Sequence, residues 1–354
     1  MGTEAGGGRP LRAGDWVEVR SAAEILATLD ERGMLNGMPF MTEMLPYCGR
    51  RYRVAASAHK SCDTIHYTGM RDMGASVHLE GLRCDGSGHG GCQAGCLFFW
   101  KEIWLRRVEG PVSSAGAPAA EARQQPVDTA ALEKGARRQG DSADDVRYVC
   151  QITELLNCSK PVAWWNPRQY WRDWRSGNRS LGQIVAVLST AAARRMTGFG
   201  VGYRFWIAVH DWLARRFDMP SYDAVTNRRG PIAQGVATPL SNESFQTGEW
   251  VRVRPRAEIL ASLNTAGRNR GLTFDPEMLY FCERTYQVRG VVERIIEEGT
   301  GKMQVFKNPC IALENAYCRG EFSRQRLLCP RAIIPYWRPL WLQKVPPPGG
   351  AGQG

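Results

Sequence analysis

Several common signatures are missing from this sequence of 354 residues. No apolar run approaches the roughly 18 to 20 residues that a membrane-spanning helix needs. The first eight residues also lack the apolar core of a signal peptide, so we expect a cytoplasmic protein without a transmembrane segment. In that compartment the eleven cysteines favour metal or thiol chemistry over disulfide bonds.

Hydrophobic and basic residues are abundant instead. A hydrophobic fraction of 43%, with 10% aromatic residues, excludes a chain that is disordered throughout. At about 150 residues per domain, the length predicts two or three domains, each able to bury a core. Lysine and arginine number 46 against 35 acidic residues, which leaves a net charge of +11.

The strongest pattern is an internal duplication. Gly14-Asp15-Trp16-Val17 recurs as Gly248-Glu249-Trp250-Val251, an offset of 234 residues that holds over a long stretch. Near the end of each copy the offset becomes 237. Further matched pairs are Phe40 with Phe274, Glu43 with Glu277, Cys48 with Cys282, Tyr52 with Tyr286, Cys84 with Cys318, Cys92 with Cys329, Trp100 with Trp337 and Trp104 with Trp341. Two homologous modules of about 95 residues therefore flank a different central segment.

Each module is predicted to be mostly β. Trp16-Val17-Glu18-Val19 alternates apolar and polar residues, as a half-buried strand does. The Gly-Asp-Trp-Val start and the later Tyr-Cys-Gly-x-x-Tyr-x-Val resemble an SH3-like barrel. We therefore predict an α+β fold, with two homologous, mostly-β SH3-like small-barrel modules joined by a mainly helical central segment.

Several stretches of the chain are distinctive. In the first copy and the central segment they are the sequence from Val77 to Gly86, His89-Gly90-Gly91-Cys92-Gln93-Ala94-Gly95-Cys96 and Cys150 to Leu155. In the second copy they are Leu328 to Ala332 and Tyr336-Trp337. In these stretches the chain resembles a family of uncharacterised bacterial proteins with two cysteine-rich SH3-like modules flanking a central segment. The resemblance implies an architecture and no activity.

The predicted domain organisation follows from these patterns. It consists of a disordered tail at 1–13, a cysteine-rich SH3-like module at 14–109, a flexible linker at 110–145, a basic aromatic helical segment at 146–230, a second cysteine-rich SH3-like module at 248–346 and a disordered tail at 347–354.

The cysteines in the two modules are the candidate metal ligands. Three positions are shared by both copies, and zinc binds thiolates in closed sites of four ligands. Candidate fourth ligands are Cys62, Cys96 or His89 in the first module and Cys310 in the second. A shared ion at Cys310 and Cys318 would require a turn near Glu314-Asn315, and Glu80-Gly81 is the equivalent expected turn in the first module. The predicted zinc ligands are Cys48, Cys62, Cys84, Cys92, Cys96, Cys282, Cys310, Cys318 and Cys329.

Other roles for the cysteines stay open. Free cysteine often packs as a small hydrophobic residue, and Cys150 and Cys158 are expected to do so. An iron–sulfur cluster or a thiol redox role is a further alternative. Catalytic residues are not identified, although Cys62 or Cys96 beside a histidine base would suit a thiol enzyme in the first module. The second module contains no histidine, so it cannot repeat such chemistry.

The central segment is rich in arginine and tryptophan. Residues 164–229 contain eleven arginines, four aspartates and neither lysine nor glutamate, a net charge of +7. The tryptophans could pack inside a helical domain with the arginines outside. Alternatively, they could bind a protein partner or an anionic membrane surface, which would make the protein peripheral to the membrane. The third interpretation, which we favour less, is that this segment binds single-stranded nucleic acid.

We therefore predict a zinc-stabilised tandem-module protein with a binding or accessory role and without its own catalysis. One alternative is a thiol- or metal-dependent enzyme with its site in the first module. The other is a binder of single-stranded nucleic acid or of a membrane surface through the central segment.

Overall fold

A computed structural model describes residues 9–110, 128–140, 142, 145–199, 202–323 and 325–348. The chain is mixed α and β, with several small antiparallel sheets and one nearly closed barrel. The predicted mixture of helix and antiparallel strand is therefore confirmed. None of the helices in these ranges is long and apolar enough to cross a membrane.

The α-helices of the described residues are α1 (Ala22–Leu26), α2 (Ala130–Gly135), α3 (Pro167–Arg175), α4 (Leu181–Phe199), α5 (Tyr203–Arg216), α6 (Tyr222–Thr226) and α7 (Arg256–Ala261). Short 3-10 helices span Thr42–Tyr47, Glu102–Trp104, Pro276–Phe281 and Pro339–Trp341.

The strands before the central helices are β1 (Trp16–Val19), β2 (Met34–Leu35), β3 (Met38–Pro39), β4 (Arg51–Ser57), β5 (Lys60–Cys62), β6 (Met70–Asp72), β7 (Ser76–Leu79), β8 (Trp100–Lys101), β9 (Leu105–Val108), β10 (Arg137–Gln139), β11 (Val146–Tyr148) and β12 (Lys160–Val162). Those after them are β13 (Trp250–Val253), β14 (Arg268–Asn269), β15 (Leu272–Thr273), β16 (Thr285–Ile296), β17 (Met303–Leu313), β18 (Tyr336–Trp337) and β19 (Leu342–Lys344).

The chain divides into two compact units. Unit 1 is drawn from Met1–Ser180, Ile295–Gln304 and Cys329–Arg331, and unit 2 from Leu181–Arg294, Val305–Leu328 and Ala332–Gly354. Unit 1 thus contains the predicted module 14–109 together with two short segments of the predicted module 248–346.

The first module forms a five-stranded antiparallel sheet in the order β8-β7-β4-β1-β9. Strand β1 lies between β4 and β9, with Val17 opposite Tyr52 on one side and Arg107 on the other. The alternation predicted for this strand turns Val17 and Val19 into the core, where both are fully buried. Trp104 closes the core, with its ring centroid 5.3 Å from that of Phe40.

The second module repeats this sheet in the order β18-β17-β16-β13-β19. The register is the same, since Val251 lies opposite Tyr286 and Lys344. Its core repeats the aromatic contact between Phe274 and Trp341, with a centroid distance of 5.7 Å. The duplication in the sequence is therefore also a duplication of strand order, register and core.

Small features of the two copies match as well. The Trp104 indole N–H donates to Thr28 Oγ1 at 3.1 Å, and that of Trp341 donates to Ser262 Oγ at 2.9 Å. The turns expected at Glu80-Gly81 and Glu314-Asn315 are both present. Gly81 and Asn315 take left-handed φ values of 73° and 61° there, which glycine and asparagine tolerate best.

Part of the predicted flexible linker is built into unit 1. Of residues 110–145, positions 111–127, 141, 143 and 144 lie outside the described residues. The described part forms α2 and β10, because Leu132 packs into the core of unit 1 and β10 pairs with β11. Of the two predicted disordered tails, residues 1–8 and 349–354 also lie outside the described residues. Leu11, within the first tail, is buried.

The segment predicted to be helical at 146–230 contains α3 to α6, and it also contributes β11 and β12. In unit 2, α4 and α5 pack against each other. His210 of α5 is buried there, and its Nδ1 lies 2.8 Å from Thr190 Oγ1 of α4. His210 is therefore a packed side chain.

A buried glutamate holds the same loop in both copies. Glu43 accepts a hydrogen bond from the Gly88 backbone N–H at 3.0 Å. Its counterpart Glu277 accepts one from the equivalent Phe322 N–H at 2.6 Å, and further bonds from Glu321 and Ser323. Both carboxylates are almost fully buried. Each therefore replaces water as the partner of backbone groups that no strand satisfies.

We expect Glu277→Ala (E277A) to lower the free energy of unfolding by about 3 kcal/mol or more, since buried N–H groups lose their acceptor. The measurement is urea unfolding followed by circular dichroism. The control is E258A, because Glu258 is 53% exposed and makes a surface pair with Arg254; it should cost about 0.5 kcal/mol or less. Equal effects of the two substitutions would contradict this role for Glu277.

Candidate functional site

The predicted zinc ligands fall into separate groups. Cys48 and Cys282 are equivalent core positions, and each sulfur lies 4.0 Å from a backbone carbonyl, that of Met44 or Met278. Burial raises the pKa of Cys48 to about 11 and that of Cys282 to about 12. In this structure both are therefore neutral thiols at pH 7 that pack against the core.

In unit 2, Cys310 and Cys318 each lie beside a different arginine. Arg338 Nη1 is 3.5 Å from the Cys310 sulfur, and Arg326 Nη1 is 3.9 Å from the Cys318 sulfur. Burial raises the pKa of Cys310, although Arg338 opposes that shift.

Unit 1 contains a cavity of about 40 Å³ whose lining includes Cys84, Cys92, Cys96 and Cys150. Burial raises the pKa of Cys96 to about 12 and that of Cys150 to about 11. His89 also lines this cavity, but both of its ring nitrogens are engaged. Nδ1 lies 2.6 Å from Glu43 Oε1, and Nε2 lies 2.9 Å from the Val149 carbonyl. In this arrangement neither nitrogen is directed at an ion.

Among the described residues, no group of three or more His, Cys, Asp or Glu side chains is arranged to hold a metal ion. The zinc sites therefore stay a prediction, which elemental analysis of the purified protein tests. The remaining predicted ligands, Cys62 and Cys329, lie together in unit 1, where the Cys62 N–H donates to the Cys329 sulfur at 3.2 Å.

The most exposed aromatic surface of unit 1 belongs to α3 and the turn before it. Asn166 caps this helix by accepting from the Arg168 N–H at 3.0 Å, and Pro167 occupies its first position. Gln169 and Asp173 are buried. The large exposed side chains are those of Trp164, Trp165, Trp171 and Trp174. The helix thus buries its polar side and exposes its aromatic side, the reverse of the usual surface helix.

An ion pair in the interior of unit 1 holds α3 in this orientation. Lys60 Nζ of β5 lies 2.6 Å from Asp173 Oδ2, and both side chains are at most 1% exposed. Burial raises the pKa of Asp173 and lowers that of Lys60, while the charge of each partner offsets the shift of the other. The Lys60 ammonium also lies 5.1 Å from the centre of the Tyr170 ring.

We call the ion pair between Lys60 and Asp173 the anchor of α3. Contacts from two neighbouring residues support it. His59 Nε2 lies 3.3 Å from the Gln169 carbonyl of α3. Asn178, just after the helix, exchanges two hydrogen bonds with the Ser57 backbone, at 2.9 Å and 2.8 Å. The polar side of α3 is therefore bound to the chain around β5 by several groups at once.

We call the exposed set Trp164, Trp165, Arg168, Trp171, Trp174 and Arg175 the tryptophan face. Trp165 is 69% exposed and Trp171 is 58% exposed. The Trp171 and Trp174 ring centroids are 4.9 Å apart, and the Arg175 guanidinium lies 5.8 Å from the Trp171 ring. The interpretation that these tryptophans pack inside is therefore wrong, because the buried side of α3 is occupied by the anchor.

The functional residues that the sequence patterns missed are Lys60 and Asp173. Lys60 lies among cysteines and histidines, and Asp173 is one acidic residue in a basic stretch, so neither belongs to a pattern. The sequence signal is a single acidic residue on the side of a helix opposite its aromatic residues. Such a residue indicates a buried basic partner.

Comparison of this chain with protein-family models, with curated proteins and with solved structures found no match. The proposals that follow therefore depend on the geometry of the molecule and on the chemistry of its side chains.

The anchor makes a prediction about stability. We expect K60M to lower the free energy of unfolding by about 3–5 kcal/mol, since it leaves the Asp173 charge buried without its partner. The double variant K60M/D173L should recover at least half of that loss, because neither charge remains. Urea unfolding of both variants measures this. A K60M protein within about 1 kcal/mol of the wild type would show that the pair does not hold α3.

His59 makes a prediction about pH. Burial, with the nearby charges of Arg172 and Lys60, lowers the pKa of His59 to about 3. Below pH 6.5 the unfolded chain therefore takes up a proton at this position that the folded chain does not, so stability falls as pH falls.

One such proton contributes about 1.4 kcal/mol per pH unit. Urea unfolding between pH 6 and pH 4.5 should therefore show a pH dependence that is weaker in H59N than in the wild type by about that amount. Parallel curves for the two proteins would contradict it.

Proposed function

We propose that this protein binds single-stranded nucleic acid through the tryptophan face. The observation that carries this proposal is the inverted orientation of α3, which places four tryptophans in solvent while Asp173 is fully buried. Large aromatic residues exposed together mark an interaction surface, because a lone folded chain gains by covering them.

The chemistry of the surface suits a chain of bases and phosphates. Each flat indole ring offers a stacking platform, and stacking of a base on an aromatic side chain contributes about 1–3 kcal/mol. Arg168 and Arg175 supply cationic groups for phosphates between these platforms. The net charge of +11 would attract a polyanion over a longer range.

Composition favours nucleic acid over a membrane surface. Between Trp164 and Ser180 the chain contains no Val, Leu, Ile, Met or Phe. A helix that lies in a bilayer interface buries a broad apolar face about 5–10 Å deep. Tryptophan alternating with arginine offers stacking and charge but no aliphatic surface for such insertion. This reverses the order of preference that the sequence alone suggested.

For the scaffold, we propose that the duplicated five-stranded sheets are SH3-like modules of one ancestral unit. The support is their common strand order, their common register and their matched tryptophan hydrogen bonds. In this proposal the modules give the protein its framework, and the face that binds lies on the segment between them.

The test is fluorescence anisotropy of the full-length protein with a labelled oligothymidylate of about 20 nucleotides. We expect W165A/W171A to weaken binding at least about tenfold, since two stacking platforms are lost. The matched control is W212A, which removes an equally exposed tryptophan of α5 in unit 2, 63% exposed, and should leave the affinity unchanged.

Charge is tested separately with R168A/R175A. Each phosphate contact to a single strand contributes about 0.7 to the slope of log affinity against log salt, so the double variant should lower that slope by about 1.4. Binding that is equally weak in W212A and W165A/W171A would overturn the proposal. So would binding to anionic phosphatidylserine vesicles with none to the oligonucleotide, which would assign the tryptophan face to a membrane.

A further inference from the structure

A pair of cysteines lies in unit 1 apart from the tryptophan face. Cys62 is the last residue of β5, and Cys329 begins the short segment Cys329–Arg331 of the same unit. The Cys62 N–H and the Cys62 thiol both donate hydrogen bonds to the Cys329 sulfur. Neither residue forms a disulfide in this structure, and their exposed fractions are 0% and 4%. This contact brings together two cysteines that are 267 positions apart in the chain.

A buried arginine lies beside this pair. Arg331 Nη1 is 3.4 Å from the Cys62 carbonyl and 2.9 Å from Thr64 Oγ1, and Nη2 is 3.2 Å from Glu298 Oε1. Burial opposes ionisation of Cys329, but the Cys62 hydrogen bond and the Arg331 charge outweigh it and lower the pKa of Cys329. Cys48 is also buried, and Cys96 and Cys150 are partly buried, but burial raises the pKa of all three instead.

The duplication isolates what is special about this pair. Cys92 is the counterpart of Cys329, and its sulfur accepts a hydrogen bond from the Ile296 N–H at 3.3 Å. Ile296 is in turn the counterpart of Cys62 at the offset of 234. The sulfur-to-backbone contact therefore occurs twice and belongs to the repeat. At Cys329, however, the residue in contact is a second cysteine, Cys62, where Cys92 contacts Ile296.

We propose that Cys62 and Cys329 form a redox-active dithiol that a small peroxide oxidises to an intramolecular disulfide and that a small-molecule thiol reduces again. The burial of both sulfurs selects a small oxidant over a protein disulfide, which could not reach them. Neither residue belongs to the tryptophan face, so this site does not depend on the proposed nucleic-acid binding.

The chemistry balances in two steps. The Cys329 thiolate attacks one oxygen of hydrogen peroxide, the O–O bond breaks, and the sulfenic acid forms with release of hydroxide. The Cys62 thiol then gives its proton to that hydroxide, which leaves as water, and the Cys62 sulfur attacks the Cys329 sulfur. The S–S bond forms as the second hydroxide departs, and it takes the proton left from the original Cys329 thiol. Overall, two thiols and one peroxide give one disulfide and two waters.

The direct test treats the native full-length protein with hydrogen peroxide at pH 7, removes the peroxide, and then unfolds the protein in guanidinium chloride containing N-ethylmaleimide, so that every remaining thiol is blocked. Peptide mass spectrometry without reduction should find Cys62 and Cys329 in one cross-linked pair, which dithiothreitol separates. Two of the eleven thiols should be lost. Cys48 and Cys282 should stay alkylated and serve as the internal controls. This measurement uses the wild-type chain, so it does not depend on the folding of a variant.

Arg331 is a positioning residue in this scheme, and the rate of cross-linking tests it. We expect R331M to form the disulfide about tenfold more slowly, since the thiolate loses its cation. R331K should recover most of the rate because it keeps the charge. Circular dichroism of each variant confirms that it is folded. In C62S, the sulfenic acid on Cys329 should persist and react with dimedone.

Three results would overturn the proposal. The first is complete alkylation of Cys62 and Cys329 after peroxide while another cysteine pair becomes linked. The second is an unchanged rate of Cys62 oxidation in C329S. The third is zinc in the purified protein that is lost in both C62S and C329S, which would assign the two sulfurs to a metal.

Discussion

The buried ion pair between Lys60 and Asp173 determines which side of α3 meets solvent. Turning the helix to cover its tryptophans would gain about 2–3 kcal/mol for each large side chain buried. It would also leave the Lys60 ammonium in the interior without its partner, and a stranded buried charge costs several kcal/mol. The ion pair and the hydrogen bonds around it therefore favour the same orientation of α3. The exposed aromatic surface is thus a consequence of an interior contact.

The duplication separates what maintains the fold from what is particular to one copy. The core tryptophans, their hydrogen bonds and the glutamates Glu43 and Glu277 recur in both modules, so they serve the shared architecture. His89 has no counterpart, because a backbone N–H of Ser323 occupies its place beside Glu277. Cys62 likewise differs from its counterpart in the second copy, which is Ile296. Positions that differ between the copies are where individual roles can arise without disturbing the common sheet.

The sequence was sufficient for the repeat and insufficient for the sites, for a physical reason. Matched residues at one offset report local strands and core positions, which is why β1 and β13 and the turns at Gly81 and Asn315 were predictable. The contact between Lys60 and Asp173 joins residues 113 positions apart in unlike segments. Neither the hydrophobic periodicity nor the repeat spacing of the sequence indicates such a contact.

The shared cysteines illustrate the same limit. Cys48 and Cys282 pack in or against equivalent cores, and a retained sulfur looks the same in a sequence whether it packs or binds a metal. Cys62 and Cys329 meet although they occupy unlike positions of the two copies, so aligning the repeats conceals the pair. The ionisation of these sulfurs depends on neighbouring residues such as Arg331, which no alignment of the repeats identifies.

Strand β5 brings the two candidate sites into one electrostatic environment. Lys60 and Cys62 are alternate residues of this strand, so their side chains point to the same side of it. Negative charge at Cys329 acts on Lys60 and raises the pKa of the ammonium, against the lowering that burial causes. Oxidation of Cys329 would remove this negative charge. Stabilisation of the charged Lys60 ammonium would then depend more strongly on Asp173. The dithiol and the anchor of the tryptophan face are therefore coupled through a single buried cation, although neither needs the other in order to form.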